Sequence, residues 1–334
     1  MRKSYTTHFL AFLLLTLGMA STLSSCIYDD LSECGLDIRF RYTYNMKEAD
    51  AFSKEADWVK LWVFDAQQKL VTQYEEGSEF ISSKKGLKIS QLPAGNYTFV
   101  AWAGSSKQSG EHADFDIPTL KKGDSMTILS ARLQRNEQGI NRSKLNVLLN
   151  GTLQTNISGV KQTVVLDMMK CTNTLRIVLM PINADKPLHA NNFESFIEGK
   201  NGWLAYNAHP FQKDELIYRP YYQELSEDKS ESPEGEAVVK QAIIFELNTS
   251  RIMVDTNPRL IIRNNDTQQE VLNINLSWFL TLQAIGEHRT EWSDQEYLDR
   301  QDEYSITFFT DGSTWMKTHI IVNGWVLSLQ DIEL

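Results

Sequence analysis

Three cysteines, six histidines and eight prolines among 334 residues leave little material for several kinds of chemistry. Beyond the first segment the histidines are His112, His189, His209, His288 and His319. No two of them share metal-ligand spacing on a helix, and no His-Glu-x-x-His is present. A glycine-rich phosphate loop after a strand pattern is missing, as is a Gly-x-Ser-x-Gly nucleophile elbow. Asp114-x-Asp116 lacks the further oxygens and the glycine of a calcium loop and reads as a solvated loop. Acids outnumber bases, 43 to 33, for a net charge of −10. That balance argues against nucleic acid and against electrostatic adhesion to anionic lipid. No apolar run has the length of a transmembrane helix, and Trp278 to Leu282 is a short core segment at most.

What is present begins at the N-terminus. Arg2 and Lys3 precede the apolar run Phe9 to Leu17, and Leu23-Ser24-Ser25-Cys26 follows. The charge, the short apolar stretch and the small residues form a secretory signal. A cysteine at the cut site resembles the bacterial lipobox, which implies cleavage before Cys26 and a lipid thioether on it. Removing residues 1–25, which hold Arg2 and Lys3 and no acid, leaves 309 residues and shifts the net charge from −10 to −12. Membrane attachment then falls to the lipid. Cys34 and Cys171 remain as an even pair in an oxidising compartment, a disulfide candidate whose alternative is two small buried apolar residues.

The mature length suits two domains of ordinary size. Most of it reads as short strands. Val59, Leu61 and Val63 alternate with Trp58, Trp62 and Phe64, so that strand is expected to be buried on both faces. Pro93-Ala94-Gly95-Asn96 signals a turn before Tyr97 to Trp102, and Asn264-Asn265-Asp266 marks a hairpin. Trp58, Trp62 and Trp102 read as core, while Trp203, Trp292, Trp315 and Trp325 have more polar flanks. Ser293-Asp294-Gln295-Glu296 has capping-box form and predicts a short helix over 294–300. Phe193, Phe196 and Ile197 have helical spacing over one or two turns. The acidic stretch Glu224 to Glu236 reads as an exposed loop. Asn150, Gly151, Asn156 and Gly159 suggest a boundary near 155–162, giving a signal peptide at 1–25 and domains at 26–158 and 159–334. Many short strands with turns between them favour an all-β fold of sandwiches with few short helices. Carboxylate groups such as Asp299, Asp302 and Glu303 read as a helix end and a surface cluster, because a glycosidase needs two carboxyls at defined separation across a cleft.

Several blocks together resemble one family. They are Cys26 to Cys34, Arg39 to Asn45, Leu61 to Asp65, Leu92 to Trp102 with its Leu-Pro-x-Gly-x-Tyr pattern, Tyr297 to Tyr304 and Ile321 to Val326. In this order, behind a lipobox, they are similar to the FimB/Mfa2-type fimbrial anchor subunits of Bacteroidales. The resemblance implies two tandem transthyretin-like β-sandwich domains and no enzyme activity. It also implies a role at the base of a fimbria in the outer membrane, with stalk or accessory pilins and outer-membrane lipid as partners. No nucleic acid and no cofactor beyond the covalent lipid are expected. Asp29 and Asp30, just after Cys26, resemble the acidic signal that sends lipoproteins of this group to the cell surface. A donated strand completing an open sheet is the expected mode of pilin contact. Ile320 to Leu329 is a candidate for such an exchange, with an ordinary strand of the second domain as the favoured alternative. The rival reading of the whole chain is a surface glycan-binding or adhesive lipoprotein, which predicts exposed aromatic platforms.

Overall fold

Strand after strand obeys a period of two, and the fold follows from which face of each strand is apolar. The structure is a computed structural model. It describes residues 35–90, 92–105, 113–158, 160–183, 188–211, 214–231, 237–286, 291–315, 320–323 and 325–327. Cys26, Asp29, Asp30 and Cys34 lie outside the described residues.

In chain order the first part holds β1 (Leu36–Arg41), α1 (Phe52–Glu55), β2 (Trp58–Phe64), β3 (Leu70–Gly77), α2 (Ser78–Ser83), β4 (Leu87–Ile89), β5 (Gly95–Gly104), β6 (Phe115–Asp116), β7 (Ser130–Leu133), β8 (Ile140–Asn141), β9 (Leu148–Ile157), β10 (Gln162–Asp167) and β11 (Met169–Lys170). The second holds β12 (Thr172–Pro181), β13 (Phe193–Gly199), β14 (Trp203–Ala205), β15 (Leu216–Tyr218), β16 (Tyr222–Glu231), β17 (Ala237–Ser250), β18 (Arg259–Asn264), β19 (Glu270–Asn275), α3 (Leu276–Gly286), α4 (Asp294–Arg300), β20 (Glu303–Thr310), β21 (Ile320–Val322) and β22 (Trp325–Leu327). The protein is all-β with few short helices, as the sequence predicts.

A three-stranded sheet, β10-β1-β4, faces a five-stranded sheet, β11-β9-β5-β2-β3. Leu36 and Ile38 meet Val59, Leu61, Val63, Phe99, Ala101 and Ala103 in the smaller core. The opposite face of the five-stranded sheet carries Trp58, Trp62, Phe64, Val100 and Trp102, and these enter the larger core. That sheet is therefore buried on both sides, as the double apolar alternation predicts. The larger core also draws on β12, β17 and β20 of the six-stranded sheet β16-β17-β12-β20-β21-β22, on the five-stranded sheet β19-β18-β13-β15-β8, on β6, β7 and β14, and on helices α3 and α4.

Strand pairing runs across the expected boundary at 158/159 in both directions. β10 runs parallel to β1, from Leu36 opposite Gln162 to Arg41 opposite Asp167, so the first pair of sheets extends past residue 159. Gly151 is a packing residue inside β9; a Cβ there would stand 2.6 Å from Met168 Sδ and 2.8 Å from the Asp167 carbonyl oxygen. Strands β7 and β8 cross the expected boundary in the other direction. Arg132 pairs with Trp203 of β14, and Ile140 runs beside Ile217 of β15.

Two local expectations fail. Residues 193–199 form a strand between β15 and β18, because alternate burial of Phe193, Ser195 and Ile197 fits a sheet as well as a helix turn. The acidic stretch from Glu224 is strand through Glu231, since β17 supplies ten consecutive pairings that satisfy its backbone. The hairpin at Asn264-Asn265-Asp266 and helix α4 stand where expected, with Ser293 Oγ accepting from the Glu296 amide at 3.2 Å.

Candidate functional site

An all-β interaction protein works through sheet edges, exposed faces and loops, so the edges come first. The six-stranded sheet has two unlike ones. At one end β16 presents exposed Gln223, Glu224 and Glu227 in sequence with further charges, a pattern that discourages edge pairing. At the other end lies β22, Trp-Val-Leu, a short apolar strand that among the described residues pairs with β21 alone.

The segment from Ile320 is a hairpin on this edge rather than one continuous strand. β21 pairs with β20 through Ile306–Val322 and Thr307–Ile321, and β22 folds back so that Val322 faces Trp325. The cause on the described side is Asn323. Asn323 sits at φ 46°, the left-handed conformation that a two-residue hairpin turn needs. Its amide donates to the Ser305 carbonyl at 2.7 Å and its Oδ1 accepts from the Ser305 amide at 2.7 Å, which pins the turn to β20. This Asn-Gly signal was readable in the sequence and falls between β21 and the edge strand.

Behind this edge the sheet is held firmly. Phe308 packs on Phe279 at 5.5 Å and edge-on against Trp315 at 5.4 Å. Helix α4 precedes β20, packs Tyr297 and Leu298 into the larger core and reaches the first part of the chain through Arg300. Arg300 lies 4.4 Å from the ring centre of Tyr44 and 4.6 Å from that of Trp292, and bonds Glu296 at 2.9 Å. Lys170 of β11 pairs with Glu55 at 3.1 Å and with Asp302 just ahead of β20. Burial alone would lower the Lys170 pKa; Asp302 and Glu55 outweigh it, and the net shift is upward. Arg251 and Asp299 form a buried pair beside this junction.

Among the described residues the tryptophan side chains are poor candidates for a sugar platform. Trp58, Trp62, Trp102 and Trp315 are buried. Trp203 is half-buried, packed at a tilt against Phe211 at 5.0 Å and under the Arg132 guanidinium at 5.1 Å. Trp278 packs against the larger core and Trp292 holds Arg300. Among the described residues no three His, Cys, Asp or Glu side chains cluster as metal ligands. Asp114 of the Asp-x-Asp pair accepts from the amide and the side chain of Asn146, both at 2.8 Å, a structural bond. Among the described residues no helix is long and apolar enough to cross a membrane. Cys171 is a fully buried free thiol whose Sγ lies 3.6 Å from the Met169 carbonyl oxygen; Cys34, its predicted partner, is outside the described residues.

Two hydrophobic cores, five sheets and a hairpin pinned to β20 define an all-β protein with few short helices. The chain belongs to the family of fimbrillin-A associated anchor proteins Mfa1 and Mfa2, whose profile matches residues 31–331. Among solved structures it is similar to a Bacteroides thetaiotaomicron protein described as a candidate polysaccharide-binding protein, at 32% identity and a TM-score of 0.75, over 90% of this chain and 99% of that one. A candidate adhesin of the same species matches at 29% identity and a TM-score of 0.76, over 89% and 98% of the two chains. The fimbrial anchor protein Mfa2 of Porphyromonas gingivalis shares the fold at 15% identity and a TM-score of 0.62, over 88% and 98%. No curated protein matches the sequence.

Proposed function

We propose that the mature chain is a non-enzymatic lipoprotein that holds the base of a fimbria on the outer membrane and limits its length. The observation that carries this reading is the family match across residues 31–331. The lipobox ending in Cys26 supplies the attachment, and Asp29 and Asp30 support display on the outer face. The apolar, three-residue edge strand β22 supports strand complementation as the mode of pilin contact. A pilin strand added there gains main-chain hydrogen bonds along the edge and buries alternate side chains. Stalk or accessory pilins are the partners, and the covalent lipid is the sole prosthetic group.

Deleting the gene is expected to release fimbriae into the medium or change their length, and unchanged cell-bound fimbriae would refute the anchor role. Metabolic labelling with a clickable fatty acid is expected to mark the protein, and a Cys26→Ala variant is expected to lose the mark.

Glycan binding is the second reading, favoured by the description of the 32% identical relative as a candidate polysaccharide-binding protein. A glycan array on the folded mature chain decides it, and an array without hits removes it.

A further inference from the structure

In a chain with an excess of acid, four basic side chains line one cleft. It lies at the far end of β1, where about 430 Å³ opens between the three-stranded sheet and α2. Phe40 stacks on Phe52 at 5.6 Å and meets the edge of Phe80 at 6.5 Å, which gives the cleft a rigid aromatic side. Arg39, Arg41, Lys84 and Lys85 line the remainder. Arg41 is held by Asp167 at 2.6 and 3.0 Å, and Arg39 leans on Asp37 at 3.3 Å. Lys84 and Lys85 are exposed and have no carboxylate partner among the described residues. The acid lining the cleft, Asp50, is occupied by the amides of Tyr42 and Phe52 at 3.0 and 3.1 Å. Two free ammonium groups beside apolar rings, with the guanidinium nitrogens that Asp167 and Asp37 leave open at the rim, match a phosphate joined to an apolar body.

We propose that this cleft docks the phosphate headgroups of the anionic bilayer to which the chain is tethered. The proposal rests on the lipid-attachment reading of Cys26. Chain length supports this occupant. Nine residues, 27–35, separate Cys26 from β1 and span at most about 30 Å when fully extended. The six residues of β1 place the cleft about 20 Å from the point where that tether joins the sheet. Tether and cleft therefore reach one membrane together, and a weak headgroup contact acts at the high effective concentration that tethering creates. The acidic balance argues against adhesion by the whole surface, but not against a contact confined to this cleft. Screening over about 8 Å at physiological salt leaves the cations at the contact felt and the distant acids hidden.

The test uses the full mature chain with Cys26→Ser, which removes the lipid, and sedimentation with vesicles of mixed phosphatidylglycerol and phosphatidylcholine against phosphatidylcholine alone. Binding is expected to the anionic vesicles and to fall steeply as salt rises. Each lysine near an anionic surface is worth about fivefold in affinity, so Lys84→Ala with Lys85→Ala should weaken binding about twenty-fivefold. Lys121→Ala with Lys122→Ala, an exposed lysine pair outside the cleft, should leave it unchanged. Equal binding by the Lys84/Lys85 variant and the unsubstituted chain overturns the proposal, as does equal binding to neutral vesicles. Binding to poly-glutamate without binding to vesicles overturns it in favour of an acidic protein partner. Fatty-acid labelling of Cys26 in cells reads the tether separately, so the failure of one reading is told from the failure of the other.

Discussion

Arg251 and Asp299 meet in a two-pronged ion pair, 2.7 Å on each arm, with 7% and 5% of their side chains exposed. Arg251 spends a third nitrogen on the Ala208 carbonyl at 3.1 Å, and Gln295 donates to Asp299 at 3.0 Å. Asp299 sits on α4 and Arg251 just after β17, so the pair ties the helix to the six-stranded sheet. Removing one partner leaves the other charged and buried. Arg251→Met or Asp299→Asn is expected to cost about 3–5 kcal/mol, and Arg251→Met combined with Asp299→Leu much less. A double-mutant cycle in urea measures both.

Arg300 between Tyr44 and Trp292 is the contact by which α4 grips the first part of the chain. Arg300→Ala is expected to lower stability by about 1–2 kcal/mol, and Arg300→Lys to recover only part, because an ammonium cannot stack flat between two rings. The urea midpoint reports the difference.

Cys171 has its thiol pKa pushed up by burial from 9.0 to about 12. The folded state therefore holds its proton more tightly than the unfolded chain. The stability this contributes is complete below pH 9 and drains away as the pH rises toward 12. Cys171→Ala is expected to flatten that alkaline limb in pH-dependent unfolding. A thiol reagent should leave Cys171 unmodified in the native protein and label it only on unfolding.

Gly104 faces the β9 strand so closely that an added Cβ would stand 1.9 Å from the Val147 carbonyl oxygen. Gly104→Ala is expected to force the β5–β9 pairing apart and cost about 3 kcal/mol or more. Gly77, where a Cβ meets nothing within 4 Å, should accept alanine with little change. Thermal melting of the two variants provides the comparison.

Cutting the chain at the expected boundary tests the pairing of β1 with β10. Residues 35–158 alone would lack β10 and leave Trp58, Trp62 and Trp102 uncovered. That fragment is expected to be insoluble, and solubility with a cooperative melt would contradict the shared core.

Elements with a local cause were the legible ones. The Ser293 capping box placed α4, and Asn264-Asn265-Asp266 placed the β18–β19 hairpin, because each signal acts within a few residues. Helix α3 was missed. It is apolar on nearly every side, with Leu276, Phe279, Leu280 and Leu282 buried, so it shows no stripe. Its Asn275 cap, accepting from the Trp278 amide at 3.1 Å, was the available cue. For β13 and β16 the deciding partners are distant strands, which no local window contains. The edge hairpin at Asn323 was legible in its turn residues, whereas the basic cleft was not, because Arg39 and Lys84 meet only after folding.

The five-stranded sheet with a different core on each face has a consequence for inheritance. A genetic crossover in the middle of this sequence would graft one chain's tryptophan face onto another chain's packing partners, and the two surfaces would have to match in every ridge. Crossovers near either end of the coding region spare that match. Variation among close relatives should therefore travel as whole-chain replacement or as changes in the loops and outer faces, with the shared sheet passed on intact.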